Sequence, residues 1–203
     1  MNSVTAIAPT KGRPREFDVD VALGAALRVF WQRGYEGASL AELTQEMGIT
    51  KPSLYAAFGN KEALFKKALD RYAAKRDQIM EEAFAAPTAR EAVTRLLEGT
   101  AERLSDKCNP RGCLMVQGAL SGGEECEAVK RDLSSRRAGG EALIRKRLKR
   151  AKREGDLPSN VDPAALARFV ATVMYGMAVQ AAGGAAPKEL RAIVNTALRA
   201  WPA

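Results

Sequence analysis

Four polar side chains between residues 50 and 55 have the clearest potential to bind a partner. Thr50 and Ser53 carry hydroxyls, Tyr55 carries a phenol and Lys51 carries an ammonium group. Hydroxyls and cations of this kind bind DNA phosphates, and a lysine can also bind O6 and N7 of guanine in the major groove. The spacing predicts a short helix whose polar side is free to enter a DNA groove.

The surrounding residues predict the helices that would position this segment. Gly48 ends the preceding helix, since glycine adopts the left-handed conformation at a helix C-terminus without a Cβ penalty. Thr50 can cap the next helix, and Pro52 can occupy its first turn. Ser39 and Glu42 form a capping-box pattern that starts the first of the two helices. The local pattern fits a DNA-binding helix-turn-helix, or an αα-hairpin that only packs, and leaves both open.

A longer pattern of matched positions lies within residues 13–69. The positions are Ala25, Ala26, Leu27, Phe30, Gly34, Tyr35, Ser39, Leu40, Leu43, Gly48, Ile49, Thr50, Leu54, Tyr55, Phe58, Asn60, Lys61, Glu62, Ala63 and Leu64. This pattern resembles the DNA-binding domain of the tetracycline-repressor (TetR) family. The resemblance implies that the helix after Thr50 is a recognition helix and that Tyr55 and Lys61 contact phosphates. Pro52 and the pair Ala56-Ala57 depart from the residues that are usual in the family.

A basic arm precedes the first predicted helix. Residues 1–16 are poor in hydrophobic side chains and end in a Lys-Gly-Arg-Pro-Arg run that is similar to an AT-hook core. Proline keeps such a run extended, so Arg13 and Arg15 can enter a narrow minor groove, although a flexible tail with only non-specific attraction fits equally well. The residues that we expect to contact DNA are Arg13, Arg15, Ser39, Thr50, Lys51, Ser53, Leu54, Tyr55 and Lys61.

The composition argues against several other classes of protein. The 203 residues include no histidine, which is the commonest general base and metal ligand, and no P-loop, dinucleotide-binding or G-x-S-x-G motif. We therefore expect no enzyme, no cofactor and no metal. The odd number of cysteines, three, and the lack of a signal peptide or an apolar run of about 20 residues indicate a cytoplasmic protein with no membrane partner.

The net charge of +8 is less informative than its location. Residues 1–61 hold seven Lys/Arg and six Asp/Glu, whereas seven cations fall within residues 145–153. On a helix whose apolar positions are Ile144, Leu148 and Ala151, such a run is typical of a solvated face. We therefore do not take it as a second DNA site.

The predicted fold class is all-α. Val, Ile, Thr and Tyr never alternate over a strand length, and the apolar residues recur at helical spacing. We expect a flexible arm over residues 1–16, a helix-turn-helix domain over 17–60, and a larger effector-binding and dimerisation domain over 61–203. Helices are expected at 18–34, 40–47, 50–58, 60–84, 88–104, within 108–120, at 125–153 with a loosening at Gly139-Gly140, at 163–182 and at 187–201.

The last two predicted helices carry more apolar surface than an internal core needs. With Leu190 and Val194 in the apolar stripe of the last helix, we expect a homodimer held by a four-helix interface. A small-molecule effector, uncharged or aromatic, is expected in a cavity between the apolar sides of the helices from Thr88 to Met177. The candidate lining residues are Leu96, Thr100, Met115, Gln117, Phe169, Val173 and Met177.

Cys108 is the cysteine with the strongest sequence indication of reactivity. Lys107 and Arg111 flank it, and nearby cations favour the thiolate form, although a purely structural role is the simpler interpretation of all three cysteines. The function that we predict is a transcriptional regulator, in its simplest form a repressor released from a palindromic operator in double-stranded DNA by a largely apolar effector. The alternative is a redox or electrophile sensor on the same scaffold that uses Cys108.

Overall fold

The computed structural model describes residues 17–120 and 126–202. Within these ranges the chain forms nine α-helices and no strand, which confirms the all-α prediction. The helices are α1 (Val19–Gly37), α2 (Leu40–Met47), α3 (Lys51–Phe58), α4 (Lys61–Phe84), α5 (Ala89–Ser105), α6 (Leu114–Leu120), α7 (Glu127–Arg153), α8 (Pro163–Ala182) and α9 (Pro187–Arg199).

Helices α1 to α3 form an N-terminal three-helix unit whose ends follow the predicted capping signals. Asp18 caps α1, and the helical backbone angles are interrupted at Gly34 (φ 72°), where the sequence predicted the end. The hydroxyl of Ser39 accepts from the backbone N–H of Glu42. The Glu42 carboxylate, however, accepts from Nε of Arg33 at 3.1 Å. Of the two hydrogen bonds of the predicted capping box, the structure therefore has the one to the Ser39 hydroxyl. The ion pair between Arg33 and Glu42 instead ties α1 to α2.

Aromatic rings join α1 to α4, the first helix of the C-terminal unit (α4–α9). Phe30 packs edge-on against Phe65, with ring centroids 4.9 Å apart. At the exposed margin of the same junction, Nη1 of Arg71 donates to the Asp20 carboxylate at 2.8 Å. The N-terminal unit is therefore held on α4 by buried rings and by a charged contact at the margin.

Helix α7 runs unbroken through Gly139 and Gly140, so the predicted loosening there was wrong. Gly140 is buried, and a Cβ at this position would lie 3.7 Å from Nη1 of Arg76 on α4. A Cβ at Gly140 would thus make only an ordinary van der Waals contact with the Arg76 guanidinium. The two glycines are accommodated within a continuous helix and do not break it.

One cation of the basic run at 145–153 contradicts the prediction of a solvated face. Arg147 is only 6% exposed, and its guanidinium donates to the carbonyls of Phe84, Ala86 and Pro87. Phe84 is the last residue of α4, and Ala86 and Pro87 follow it, so the three carbonyls lie at the helix end, where backbone acceptors lack partners within the helix and a cation is favoured. Arg147 therefore caps α4 from α7.

The two C-terminal helices bury their apolar stripes differently. Leu190 and Val194 of α9 are 0% and 1% exposed inside their own protomer, so their predicted place in a dimer interface was wrong. Helix α8 instead leaves Phe169 and Val179 exposed, at 41% and 49%. Among the described helices, α8 alone has the length and apolarity to cross a membrane, which is weak evidence because core helices share that composition.

Candidate nucleic-acid interface and effector cavity

Helix α3 is positioned by a tight turn after α2. Gly48 adopts the left-handed conformation (φ 65°, ψ 30°), and the N–H of Ile49 donates to the carbonyl of Thr44. Thr50 then caps α3, with its Oγ1 accepting from the N–H of Ser53 at 3.3 Å. The two hydroxyls also bond each other at 2.9 Å. These hydrogen bonds stabilise the N-terminal end of α3.

The exposed side of α3 carries most of the predicted DNA contacts. Lys51 is exposed and has no carboxylate partner in the described part of the chain, and Tyr55 is 44% exposed. Leu54, by contrast, is fully buried among α1 to α4, so its predicted DNA contact through the side chain was wrong. Its place in the helical repeat, between two outward positions, put it on the core side. Ser39 is exposed at the start of α2.

Lys61 lies at the start of α4, after the N-cap residue Asn60. Its ammonium lies 4.7 Å from the ring centroid of Tyr35 and reaches the carbonyl of Glu36 at 3.5 Å. Partial burial lowers the pKa of Lys61 from its ordinary value, against the opposing influence of nearby Cys126 and Glu36. Arg13 and Arg15, the remaining predicted DNA contacts, lie outside the described residues.

A cavity of about 40 Å³ lies inside the C-terminal unit, between α4, α5, α7, α8 and the start of α6. Of the seven predicted lining residues, Leu96, Thr100 and Met115 contribute to its wall. The complete wall consists of Arg76, Ile79, Met80, Leu96, Thr100, Arg103, Cys113, Met115, Arg137, Gly140, Ile144, Ala171, Met174, Tyr175 and Ala178.

The other four predicted lining residues do not contribute to the cavity wall. Phe169 points outward from α8, and Val173 is half-buried on the same helix. Met177 is fully buried in the core, while Oε1 of Gln117 lies 2.8 Å from where a Cβ on Gly112 would be. Helical periodicity identified apolar faces, but it did not show which turn of each helix borders the space.

Three arginines of the cavity wall were missed by the sequence analysis. Nη1 of Arg76 contacts Sδ of Met115 at 3.1 Å, and Nη1 of Arg137 donates to the carbonyl of Met115 at 2.6 Å. Arg103 donates through Nη1 to the hydroxyl of Tyr72 at 2.8 Å. Arginines at helical positions normally point to solvent, so the sequence contained no signal for this arrangement.

Tyr72 connects the cavity to the N-terminal unit. Its hydroxyl donates to Sγ of Cys113 at 3.2 Å, and its ring meets Trp31 of α1 edge-on, with centroids 4.8 Å apart. Burial is the main cause that raises the pKa of Tyr72 well above its usual value, with Cys113 adding to it, so the phenol stays protonated. Trp31 donates through Nε1 to the carbonyl of Gly112, whose φ of 84° suits glycine.

The three cysteines occupy different environments. Cys108 is exposed, and with Asp106 and Asn109 it borders an open cleft of about 840 Å³ between α1, α4 and α5. Cys113 and Cys126 are buried. Burial raises the pKa of Cys126, and its contact with the Glu36 carboxylate at 3.1 Å acts in the same direction. Across residues 17–120 and 126–202, no cluster of three or more His, Cys, Asp or Glu is placed to hold a metal ion.

The geometry of α2 and α3 defines the class of this protein. Two short helices joined by a left-handed glycine, with the second capped and polar on its outer side, form a helix-turn-helix. The family model described as "Bacterial regulatory proteins, tetR family" matches residues 22–68, and "Tetracyclin repressor-like, C-terminal domain" matches residues 87–197. The chain belongs to the TetR family of DNA-binding transcriptional regulators.

Individual relatives agree with this assignment over nearly the whole chain. The HTH-type transcriptional repressor ComR of Escherichia coli (strain K12) is 34% identical, over 99% of this chain and 97% of its own length. A cysteine mutant of the TetR family transcriptional regulator CifR, solved with 26-base-pair operator DNA, is 49% identical with a TM-score of 0.91, and the match covers 94% of this chain and all of that one. A putative TetR regulator from Rhodococcus sp. RHA1 is 43% identical with a TM-score of 0.63, covering 90% of this chain and 98% of its own.

Proposed function

We propose that this protein is a dimeric repressor that leaves its operator when a small effector enters the cavity in the C-terminal unit. The observation that carries the proposal is the contact route from Arg103 in the cavity wall, through Tyr72, to Trp31 of α1. A ligand that moves Arg103 or Tyr72 changes the surroundings of α1, the helix on which α2 is packed, and α2 in turn packs against α3. The names of the relatives ComR and CifR, a repressor and an operator-binding regulator, support the same function.

The exposed side of α3 is the proposed DNA-contacting surface. In a two-fold dimer the two α3 helices would enter successive major grooves, about 34–36 Å apart or a multiple of that spacing, so the operator would be a palindrome. Lys51, Thr50 and Ser53 lie at the helix N-terminus, the end that meets base edges in this motif. Tyr55 and Lys61 would hold the phosphate backbone, together with Ser39.

The exposed apolar side of α8 is the proposed dimer contact. TetR-family regulators are dimers, and Phe169 and Val179 lie ten residues apart on one helix with Gly176 exposed between them. A small residue lets two helices approach closely, and large apolar side chains on either side of it exclude water from the contact. With α9 beside α8, two protomers would form a four-helix interface in which α8 contributes the central apolar surface.

The proposed DNA-contacting surface and the cavity lie in different units of the protein. Release of the operator by a ligand in the cavity therefore requires a conformational change that reaches α1. The route has two links to α1, the Trp31–Tyr72 ring contact and the hydrogen bond from Trp31 to Gly112 in front of α6. The two links end at Tyr72, which is hydrogen-bonded to Arg103 of the cavity wall, and at Gly112, which precedes Cys113 of the cavity wall. An effector that binds one arrangement of Tyr72 and Arg103 better than the other would shift the population of operator-competent dimers.

Fluorescence anisotropy with an operator selected from a random-sequence library tests the proposal. The purified protein should bind a palindrome with two half-sites. Random DNA of equal length at about 10 μM, a concentration in the range of non-specific dissociation constants, should not displace the protein from this operator. A Trp31→Phe variant, which keeps a ring and loses the hydrogen bond to Gly112, should bind the operator and release it less completely with effector. If no sequence is enriched from the random library, the proposed function is contradicted.

Thiol sensing through Cys108 is a second candidate function. The observation in its favour is that Cys108 is exposed at the margin of the open cleft, where a soluble oxidant or electrophile has access. Alkylation of Cys108 should then weaken operator binding, and Cys108→Ser should abolish that response. If Cys108→Ser shows the same response as the unaltered protein, this second function is excluded and the effector cavity remains the input.

A further inference from the structure

The cavity is apolar over most of its wall but carries an excess of positive charge. Arg76, Arg103 and Arg137 are its only charged lining residues in the described chain. The other polar lining groups are the side chains of Thr100, Cys113 and Tyr175, and the Thr100 hydroxyl already donates to the carbonyl of Leu96 at 2.7 Å. Such a wall has cations and no acid.

Two of these arginines have no counterion in the described part of the chain. Arg76 pairs with Asp77 on the outer side of α4. Arg103 contacts the ring and hydroxyl of Tyr72 and the thiol of Cys113, and Arg137 donates to a backbone carbonyl. Neutral acceptors offset little of the cost of removing a guanidinium from water, which an anion offsets far better.

Two of the three arginines, Arg76 and Arg103, lie where the cavity meets the open cleft between α1, α4 and α5. Arg76, Ile79 and Arg103 border both spaces, so a ligand entering from the cleft meets two guanidinium groups first. Six arginines and lysines but only three acids line the cleft. This excess attracts anions toward the entrance.

We propose that the effector is an organic carboxylate with an apolar body, an inference that rests on the ligand-released repressor proposed above. The carboxylate binds Arg103 in the planar paired geometry that guanidinium groups favour, with Arg137 as its second cation because Arg76 already pairs with Asp77. The apolar body lies along Ile79, Leu96 and Met174. This replaces the uncharged effector that the sequence suggested.

The size of the cavity limits how such a ligand can bind. A volume of about 40 Å³ holds only a few water molecules, so the apolar body must displace side chains. Met80, Met115 and Met174 border the space, and their unbranched side chains can change rotamer at low cost. A carboxylate on Arg103 also competes with the Tyr72 hydroxyl for the guanidinium, which disturbs the contact route to α1.

The test compares acids with their primary amides, which share the apolar body and lack the charge. Hexanoate, octanoate and 4-phenylbutanoate, each beside its amide, are titrated into the protein–operator complex and, by calorimetry, into the protein alone. At least one acid should lower operator affinity tenfold or more, and its amide should have less than a tenth of that effect. Calorimetry separates the two proposals, because binding of an acid that leaves the operator complex intact supports the carboxylate site and contradicts the release mechanism.

Variants assign the binding to these arginines. Arg103→Met and Arg137→Met should each weaken acid binding tenfold or more, whereas Arg103→Lys should retain part of it. Arg90→Met, on the exposed side of the same helix and away from both spaces, is the matched control and should bind normally. If Arg103→Met fails to fold, Arg103→Lys and Arg137→Met still show whether these arginines bind the acid. An amide as effective as its acid, no binding by any acid, or full binding by both methionine variants would overturn the proposal.

Discussion

The N-terminal and C-terminal units place their functional side chains on opposite sides of their helices. In α3, the proposed DNA contacts Lys51 and Tyr55 point to solvent, and the core side is filled by Leu54 and Phe58. In the C-terminal unit the proposed effector contacts Arg103 and the other two cavity arginines point inward, against the usual preference of charged residues. A DNA-contacting surface must be open to a large rigid partner, whereas an effector site must enclose a small one.

This difference predicts that the two units will tolerate substitutions differently. A charged side chain on the outer face of α3 changes affinity for DNA and leaves the fold alone. The interior of α4 to α9 combines packing with the proposed ligand binding, so we expect a substitution there to affect both. Five variants, ordered from the largest expected effect to the smallest, can sharpen or break the comparison.

Leu190→Arg should have the largest effect because it buries a charge without a partner inside the C-terminal unit. We expect a loss of several kcal/mol in the free energy of unfolding, with much of the protein unfolded at 37 °C. Chemical denaturation of Leu190→Arg beside Ala192→Arg, an exposed position on the same helix, measures it. A folded Leu190→Arg protein that only dissociates into protomers would return this residue to the dimer interface.

Phe169→Asp tests the one functional surface of the C-terminal unit that is proposed to face outward. Since Phe169 is exposed in the protomer, we expect little change in protomer stability, and we expect the free energy of dimer dissociation to fall by about 2–4 kcal/mol. Sedimentation equilibrium gives the dissociation constant, with Lys146→Asp on α7 as the control for an added negative charge. Dimers of unchanged strength would place the interface elsewhere.

The sequence predicted the N-terminal unit well because its signals are local. Ser39, Gly48 and Thr50 act on backbone groups within four residues of themselves, so their roles follow from spacing alone. The TetR resemblance, confirmed by the family models, also depended mostly on this unit.

The cavity depended on contacts that no local pattern contains. Arg103 is hydrogen-bonded to Tyr72, which is 31 residues away in the sequence, and Arg147 is hydrogen-bonded to Ala86, which is 61 residues away. An apolar stripe likewise shows that a helix face is covered, but not whether its own protomer or a partner covers it. For that reason Leu190 was placed in the dimer interface, and three cavity arginines were missed.

Lys51→Ala probes the outward face of α3. If Lys51 contacts a base edge, its loss should reduce discrimination at one position of each half-site by about 1–3 kcal/mol. Operator variants with each base substituted in turn, titrated against both proteins, show this directly. Lys67→Ala, an exposed lysine of α4, controls for loss of charge. A uniform fall in affinity across all operators would make Lys51 a phosphate contact instead.

Tyr72→Phe probes the route between the two units. The ring that meets Trp31 is retained, but Arg103 and Cys113 lose their partner, so we expect a cost of about 1 kcal/mol in stability and normal operator affinity without effector. Release by the active carboxylate should be reduced. Tyr175→Phe is the control, since it removes a cavity hydroxyl that donates to the backbone carbonyl of Arg137 and does not contact α1. Equal responses from the two variants would remove Tyr72 from the route.

Lys61→Ala should have the smallest effect on affinity, because a phosphate contact contributes mainly through released counterions. The slope of log K against log salt should fall by about 0.9 for each half-site, with no change in base preference. The ammonium lies over the ring of Tyr35, so a contact with phosphate competes with this cation–π contact, which further limits its contribution. Titrations at four salt concentrations, beside Lys67→Ala, measure the slope. An unchanged slope would leave the N–H groups at the start of α4, rather than the Lys61 ammonium, as the phosphate contact at this position.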